Sequence, residues 1–146
     1  SDNEAKWLKR NALDEPTTEP AFYSNYGSAV DVSAAGGNAD LDAIASNPKA
    51  YNDLVYSTVN ETTEDGEVVP GYGWKAGTSM AAPQVSGAVA LVKSLRPDAT
   101  PDEVEGLIRE TASMPEEGER YHGSGHLDLE ALVRAASGKG GKGNGK

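Results

Sequence analysis

Apolar positions crowd into the second half of the chain. In MAAPQVSGAVALVKSL, residues 80–95, Met80, Val85, Ala88, Val89, Ala90, Leu91, Val92 and Leu95 fall almost all round a helix. That pattern predicts a helix buried on most sides. Gly87 and the alanines let neighbouring backbones approach closely. Pro83 fits a first turn, where its missing amide hydrogen would have no intrahelical partner, and Pro97 ends the helix. Thr100, Pro101, Asp102 and Glu103 then spell a capping box with proline at the first helical position. The second helix takes its apolar face from Val104, Leu107 and Ile108, and Glu103 and Glu105 suit its positive end. HGSGHLDLEALVRAA, residues 122–136, predicts a glycine turn, a short apolar strand and a last helix.

The first half is mostly polar, and no internal repeat organises it. Residues 1–20 hold a short amphipathic stretch from Glu4 to Leu13 and then DEPTTEP, together a leader or loop. In residues 21–35 the alternation Ala29, Val30, Asp31, Val32 predicts a short strand with one apolar face. Residues 36–72 form a long, acidic, insertion-like surface loop, with YNDLVYSTV inside it able to pair as a strand and GYG at its end as an aromatic and glycine loop. The glycines and lysines of residues 138–146 make a flexible basic tail.

Composition narrows the function classes. At 146 residues, 37% of them hydrophobic, the chain suits one soluble domain, or part of a larger one. Its 23 carboxylates outweigh 13 Lys and Arg, for a net charge of −10. Such a field repels nucleic acid and anionic membrane and favours cations, basic peptides or solubility in salt. Zero cysteines exclude disulfides, a zinc ribbon and a thiol nucleophile. No apolar stretch reads as a membrane span, and SDNEAKWLKR does not read as a signal peptide. Asn60, Glu61, Thr62 is a glycosylation sequon, which matters only in a host that secretes and glycosylates.

Ser79 stands where the glycine-rich stretch becomes the apolar helix. The first amides of a helix lack internal acceptors and its dipole adds partial positive charge, which suits a nucleophile that generates an oxyanion. Small neighbours, Gly77 before and Ala81 and Ala82 after, leave room for a substrate carbonyl. A serine there is also the ordinary helix cap, and Gly-Xaa-Ser alone favours the cap.

The wider string separates the two. Gly77, Thr78, Ser79, Met80, Ala81, Ala82, Pro83, followed by Val85 and Gly87, resembles the nucleophile motif of the subtilisin-like serine proteases, the subtilases of peptidase family S8. Phe22, Ser24, Asn25, Tyr26, Gly27 with Val30, Asp31, Val32 resemble the stretch ahead of that nucleophile. ATPDEVEGLIRETA resembles the helix after it, and Gly123 to Asp128 the closing strand. The resemblance spans residues 21–137 and implies the C-terminal portion of a catalytic domain with a three-layer α/β fold, a parallel sheet flanked by helices that this chain does not complete. It implies a serine endopeptidase of acyl-enzyme chemistry, with Ser79 as nucleophile, its own backbone amide as one oxyanion donor, and Gly77 and Thr78 against the polypeptide substrate. The family's aspartate and histidine motifs lie ahead of the serine and are absent from the 78 residues that precede it here. The implied partner is therefore the N-terminal portion of the same protease, and the isolated chain is expected to be inactive. His122 and His126 follow the serine, where the family has no catalytic histidine, and are expected exposed or packed in a turn. The chemistry requires no cofactor. Calcium is implied only as a structural ion, with Asp31 a weak candidate ligand, while the acidic loop around Asp40 and Asp42 lacks EF-hand spacing. The resemblance also implies an extracellular protein.

Two other readings compete. A non-catalytic remnant would act as an interaction or structural module and expose the faces its missing half should cover. A self-contained α/β-type hydrolase would use His122 or His126 as base, but Ala81 replaces its motif's second glycine and VPGYGWKAG is no apolar strand leading into the turn.

Overall fold

The computed structural model describes residues 19–38, 51, 54–116 and 118–138. Most of the expected leader, the loop segment 39–50 and nearly all of the tail lie outside the described residues. The elements are β1 (Val55–Thr62), β2 (Val68–Lys75), α1 (Thr78–Leu95), α2 (Pro101–Thr111), α3 (Glu119–His122) and α4 (Leu129–Ala136). They fall into two compact units, one chiefly of Ala21–Tyr23 and Ala35–Met80, the other chiefly of Ser24–Ala34 and the residues from Ala81 onward.

The first unit is built on a hairpin. β1 pairs antiparallel with β2, Val55 opposite Lys75 and Thr62 opposite Val68. At the turn the Thr63 amide donates to the Glu67 carbonyl at 2.9 Å and the Gly66 amide to the Thr63 carbonyl at 2.9 Å. YNDLVYSTV thus supplies a strand as expected. VPGYGWK was expected to be loop and is instead β2. Its Tyr72 and Trp74 alternate with Gly71 and Gly73, so the aromatic residues occupy one face, and partnership with β1 outweighs the low strand preference of glycine.

The second unit holds the apolar core. Leu132 and Val92 are its largest fully buried side chains, joined by Ala88, Ala99, Val104, Ile108 and Ala136, with Val32, Leu107 and Leu127 packed against them. Burying a side chain of the size of Leu132 or Val92 is worth roughly 1.5–3 kcal/mol. The capping box at the start of α2 forms in full: the Glu103 amide donates to Thr100 Oγ1 at 3.3 Å, and the Thr100 amide to Glu103 Oε2 at 2.7 Å. These bonds hold the Glu103 carboxyl below its ordinary pKa, the backbone amide of Thr100 contributing most. Asp128 caps α4 by accepting from the Ala131 amide at 2.9 Å.

Four further expectations change. The strand expected at Ala29–Val32 does not form. The segment pairs only at Ser33, through an isolated parallel bridge to His126, which also bridges Ser113 antiparallel. That parallel bridge is what the described residues retain of a parallel sheet, and the strand expected after the glycine turn is likewise reduced to His126. Pro83 is the sixth residue of α1, in its second turn, so its missing amide hydrogen withholds from the Ser79 carbonyl its partner one turn on. Finally, α1 is not buried on most sides: only Ala88 and Val92 are, while Val89, Leu91 and Leu95 are 37%, 42% and 45% exposed. Val85 and Val89 line an open groove of about 520 Å³ with Val104 and Ile108 of α2. The described residues cover one face of a helix whose sequence is apolar on nearly all of them.

Candidate active site

Ser79 is the second residue of α1, exposed beside an exposed Thr78. The Met80 amide donates to the Gly77 carbonyl at 2.9 Å, closing the first turn. Just ahead of the helix, the Gly77 amide donates to the Gly36 carbonyl at 2.8 Å, with Gly77 at φ +145°, a conformation that side chains rarely adopt. The approach is close enough that a Cβ on Gly36 would stand 2.8 Å from both the Gly77 carbonyl oxygen and the Tyr23 hydroxyl. Tyr23 completes the clamp by donating from its hydroxyl to the Gly37 carbonyl. Burial pushes the Tyr23 pKa above its ordinary value, with a backbone hydrogen bond from Gly77 partly opposing, so the phenol stays protonated and donates at neutral pH. Phe22 packs edge-on to Tyr23 at 5.2 Å between ring centroids.

Sequence reasoning placed Gly77, Thr78 and Ser79 correctly at a loop-to-helix junction but missed Tyr23, whose partner is a glycine carbonyl fourteen positions along the chain. The only signal for it was an aromatic pair, Phe22 and Tyr23, in an otherwise polar segment. Chemically, the junction offers an accessible hydroxyl on the first turn of an eighteen-residue helix. A carbonyl oxygen arriving there meets the positive end of the helix dipole.

The histidines lie in the second unit and form a different constellation. His122 was expected exposed or in a turn; it belongs to α3 and is only 3% exposed. Ser33 Oγ lies 2.7 Å from His122 Nδ1 and 3.2 Å from His126 Nδ1, so one hydroxyl ties both rings. The half-buried His126 has a lowered pKa, chiefly from burial and secondarily from the neighbouring His122. The unfolded chain therefore takes up a proton at His126 more readily than the folded one. The associated stability is present above the unfolded value, about 6.5, and is lost as the pH falls from there through the folded-state pKa. Urea unfolding of the native chain against His126→Gln, followed from pH 7 to pH 5, should show a fall in the native chain that is shallower in the variant. Equal slopes would remove His126 as its source.

Asp31 is exposed and ion-paired with Arg109 at 3.5 Å, and Arg109 also reaches Glu105 at 3.1 Å. Such surface pairs are worth about 0–1 kcal/mol, but they give this carboxylate a partner that a cation must displace. Among the described residues no three His, Cys, Asp or Glu side chains are grouped to hold a metal ion. Asp40 and Asp42 lie outside them. No described helix is long and apolar enough to cross a membrane.

The model of the Subtilase family matches residues 4–139. The chain is 38% identical over 121 residues to an extracellular protease of Xanthomonas campestris pv. campestris, covering 80% of this chain and 17% of that protein. It is 37% identical over 128 residues to an extracellular basic protease of Dichelobacter nodosus, covering 84% of this chain and 18% of that one. Among solved structures, a protease of Pseudoalteromonas arctica PAMC 21717 superposes with a TM-score of 0.63 at 39% identity, over 80% of this chain and 32% of the other. The epidermin leader peptide processing serine protease of Staphylococcus aureus shares the fold at a TM-score of 0.60 and 23% identity, over 92% of this chain and 34% of that one. The chain thus spans less than a fifth of the length of the two extracellular proteases and about a third of the two solved chains. With a matching family model over nearly its whole length and an incomplete α/β fold of the same kind, the chain belongs to the subtilase family.

Proposed function

We propose that residues 21–137 are the C-terminal portion of a subtilase catalytic domain and supply the nucleophile of a serine endopeptidase. The observation that carries this is the exposed Ser79 on the first turn of α1, behind a loop clamped by Gly36, Gly77 and Tyr23, within a GTSMAAP string in a chain of this family. Ser79 Oγ attacks the substrate carbonyl carbon while a histidine of the N-terminal portion takes its proton and an aspartate orients that histidine. The tetrahedral oxyanion is held by the Ser79 amide with the helix dipole behind it. Collapse expels the amine with the histidine's proton and leaves the acyl-enzyme, which water then hydrolyses by the same steps. Gly77 and Thr78 lie against the substrate backbone beside the nucleophile. The chemistry draws on no cofactor, and the isolated chain, lacking both triad partners, is inactive. Relatives named extracellular proteases support an extracellular location.

The uncovered apolar faces of α1 support an N-terminal partner, because Val89, Leu91 and Leu95 are placed for contacts that the described residues do not supply. The same exposure favours one other reading, a remnant that has kept the interface and lost the chemistry. A serine-directed phosphonate decides between them. Labelling of Ser79 only after the chain is mixed with the N-terminal portion, and none in Ser79→Ala, is the expected outcome. No labelling in either state leaves the remnant. Strong labelling of the chain alone points to a self-contained hydrolase and removes both.

A further inference from the structure

Tyr56, Tyr72 and Trp74 form a row of rings on one face of the β1–β2 hairpin. The Tyr56 centroid is 4.6 Å from that of Trp74 and 5.9 Å from that of Tyr72, whose ring it stacks at 25°. Tyr51 adds a fourth ring 6.2 Å from Trp74. These are large rings left in solvent: Tyr72 is 65% exposed, Tyr56 56% and Trp74 41%. Residues directly opposite in an antiparallel pair share a face. The four cross-strand pairs from Tyr56–Trp74 to Thr62–Val68 therefore form one face, which is exposed throughout and carries no charged side chain. Glu61 and Lys75 lie on the opposite face, where the half-buried positions are, and Glu64, Asp65 and Glu67 lie in the turn. In a chain of net charge −10 this is an uncharged aromatic island.

We infer that this face is a docking surface for the substrate, an extended, uncharged polypeptide with aromatic, aliphatic or proline side chains at alternate positions. The identity of the occupant rests on the peptidase reading above. Three features favour it. The face offers an uncharged segment no repulsion and gives a charged one no counter-charge. Trp74 and Ser79 belong to the same unit, five residues apart, so their Cα atoms lie within about 18 Å of each other. Alternate side chains of an extended chain recur about every 6.8 Å, the same spacing that separates Tyr72 from Trp74 along β2. A substrate lying along β2 therefore sets successive same-side residues on successive rings, while the phenol and indole groups hydrogen-bond its backbone.

The test is direct binding to the complete protein carrying Ser79→Ala, so that nothing is cut. The probe is a fluorescein-labelled peptide of alternating Tyr and Ser, followed by anisotropy. Tyr72→Thr with Trp74→Thr should raise its Kd roughly tenfold, and Tyr56→Thr alone about threefold, the effect of removing two stacking partners and one. Threonine keeps the strand, and unchanged thermal midpoints exclude unfolding. Tyr56→Thr, on the other strand, reads the same surface if the double variant does not fold. Glu64→Gln at the turn should leave the Kd unchanged. An affinity within twofold of the parent in the aromatic variants overturns the proposal. So does displacement by a cello-oligosaccharide but not by unlabelled peptide, or an effect confined to assembly with the N-terminal portion. Phosphonate labelling of Ser79 in the unsubstituted protein separates the two ideas: labelling lost with ring-dependent peptide binding intact removes the peptidase reading, and the reverse removes this one.

Discussion

On the proposed peptidase reading, Ser79→Ala is expected to lower kcat of the assembled protease on the order of 10⁶-fold, with KM within about twofold of the parent, the pattern of losing an interaction made only in the transition state. The substitution deletes one oxygen from an exposed position of α1. Alanine is the best helix former, so the helix and its dipole stay as they were. The Gly77–Gly36 hydrogen bond and the Tyr23 clamp involve no atom of the Ser79 side chain, so the loop ahead of the helix also stays. What is lost is the covalent route itself, and the remaining rate over water comes from oxyanion stabilisation and binding alone. Hydrolysis of a chromogenic peptide by the two proteins, with equal thermal midpoints, measures the effect. A variant retaining a tenth of the parent kcat would show that Ser79 is not the nucleophile.

The parts of this fold that sequence revealed are those whose cause is local. The capping box at Thr100 and Glu103 needs four consecutive residues and forms as written. The GTSMAAP string is dense enough to name a family and to put Ser79 on the first turn of a helix. Misreadings occur where the cause lies elsewhere in the chain. Alternation at Ala29–Val32 suggested a strand, but a strand exists only with a partner, and only Ser33 finds one, ninety-three residues on at His126. VPGYGWK looked like a loop because glycine weakens a strand considered alone, whereas β1 opposite supplies its ladder. The all-round apolar pattern of α1 suggested burial on most sides, but burial depends on what lies against the helix, and the described residues cover only the face of Ala88 and Val92. His122, expected exposed or packed in a turn, is buried at the end of α3 against Ser33, a contact across eighty-nine residues that no local pattern encodes.

Gly123→Ala tests that long-range assembly through the stability of the second unit. Gly123 has φ +59°, and a Cβ there would stand 2.5 Å from the Asp31 carbonyl oxygen and collide with the Val30 carbonyl. The next residue donates its amide to that Asp31 carbonyl at 2.8 Å, and two positions further along the segment Ser33 receives both histidines. A methyl group at 123 must push Val30–Asp31 away, which pulls on the Ser124 bond and on the Ser33 pairing together. With ψ at −121°, this positive-φ conformation costs an alanine on the order of 1–3 kcal/mol, and a weakened backbone bond about 1 kcal/mol more, so the total is roughly 2–4 kcal/mol. Gly138→Ala is the comparison, because Gly138 also has a positive φ, +67°, but nothing within 4 Å of its added Cβ. Urea midpoints of the two variants should therefore differ, with Gly123→Ala the less stable. Equal losses would mean that the segment from Val30 to Ser33 yields freely, and that the GSGH stretch is set by its own turn rather than by what packs against it.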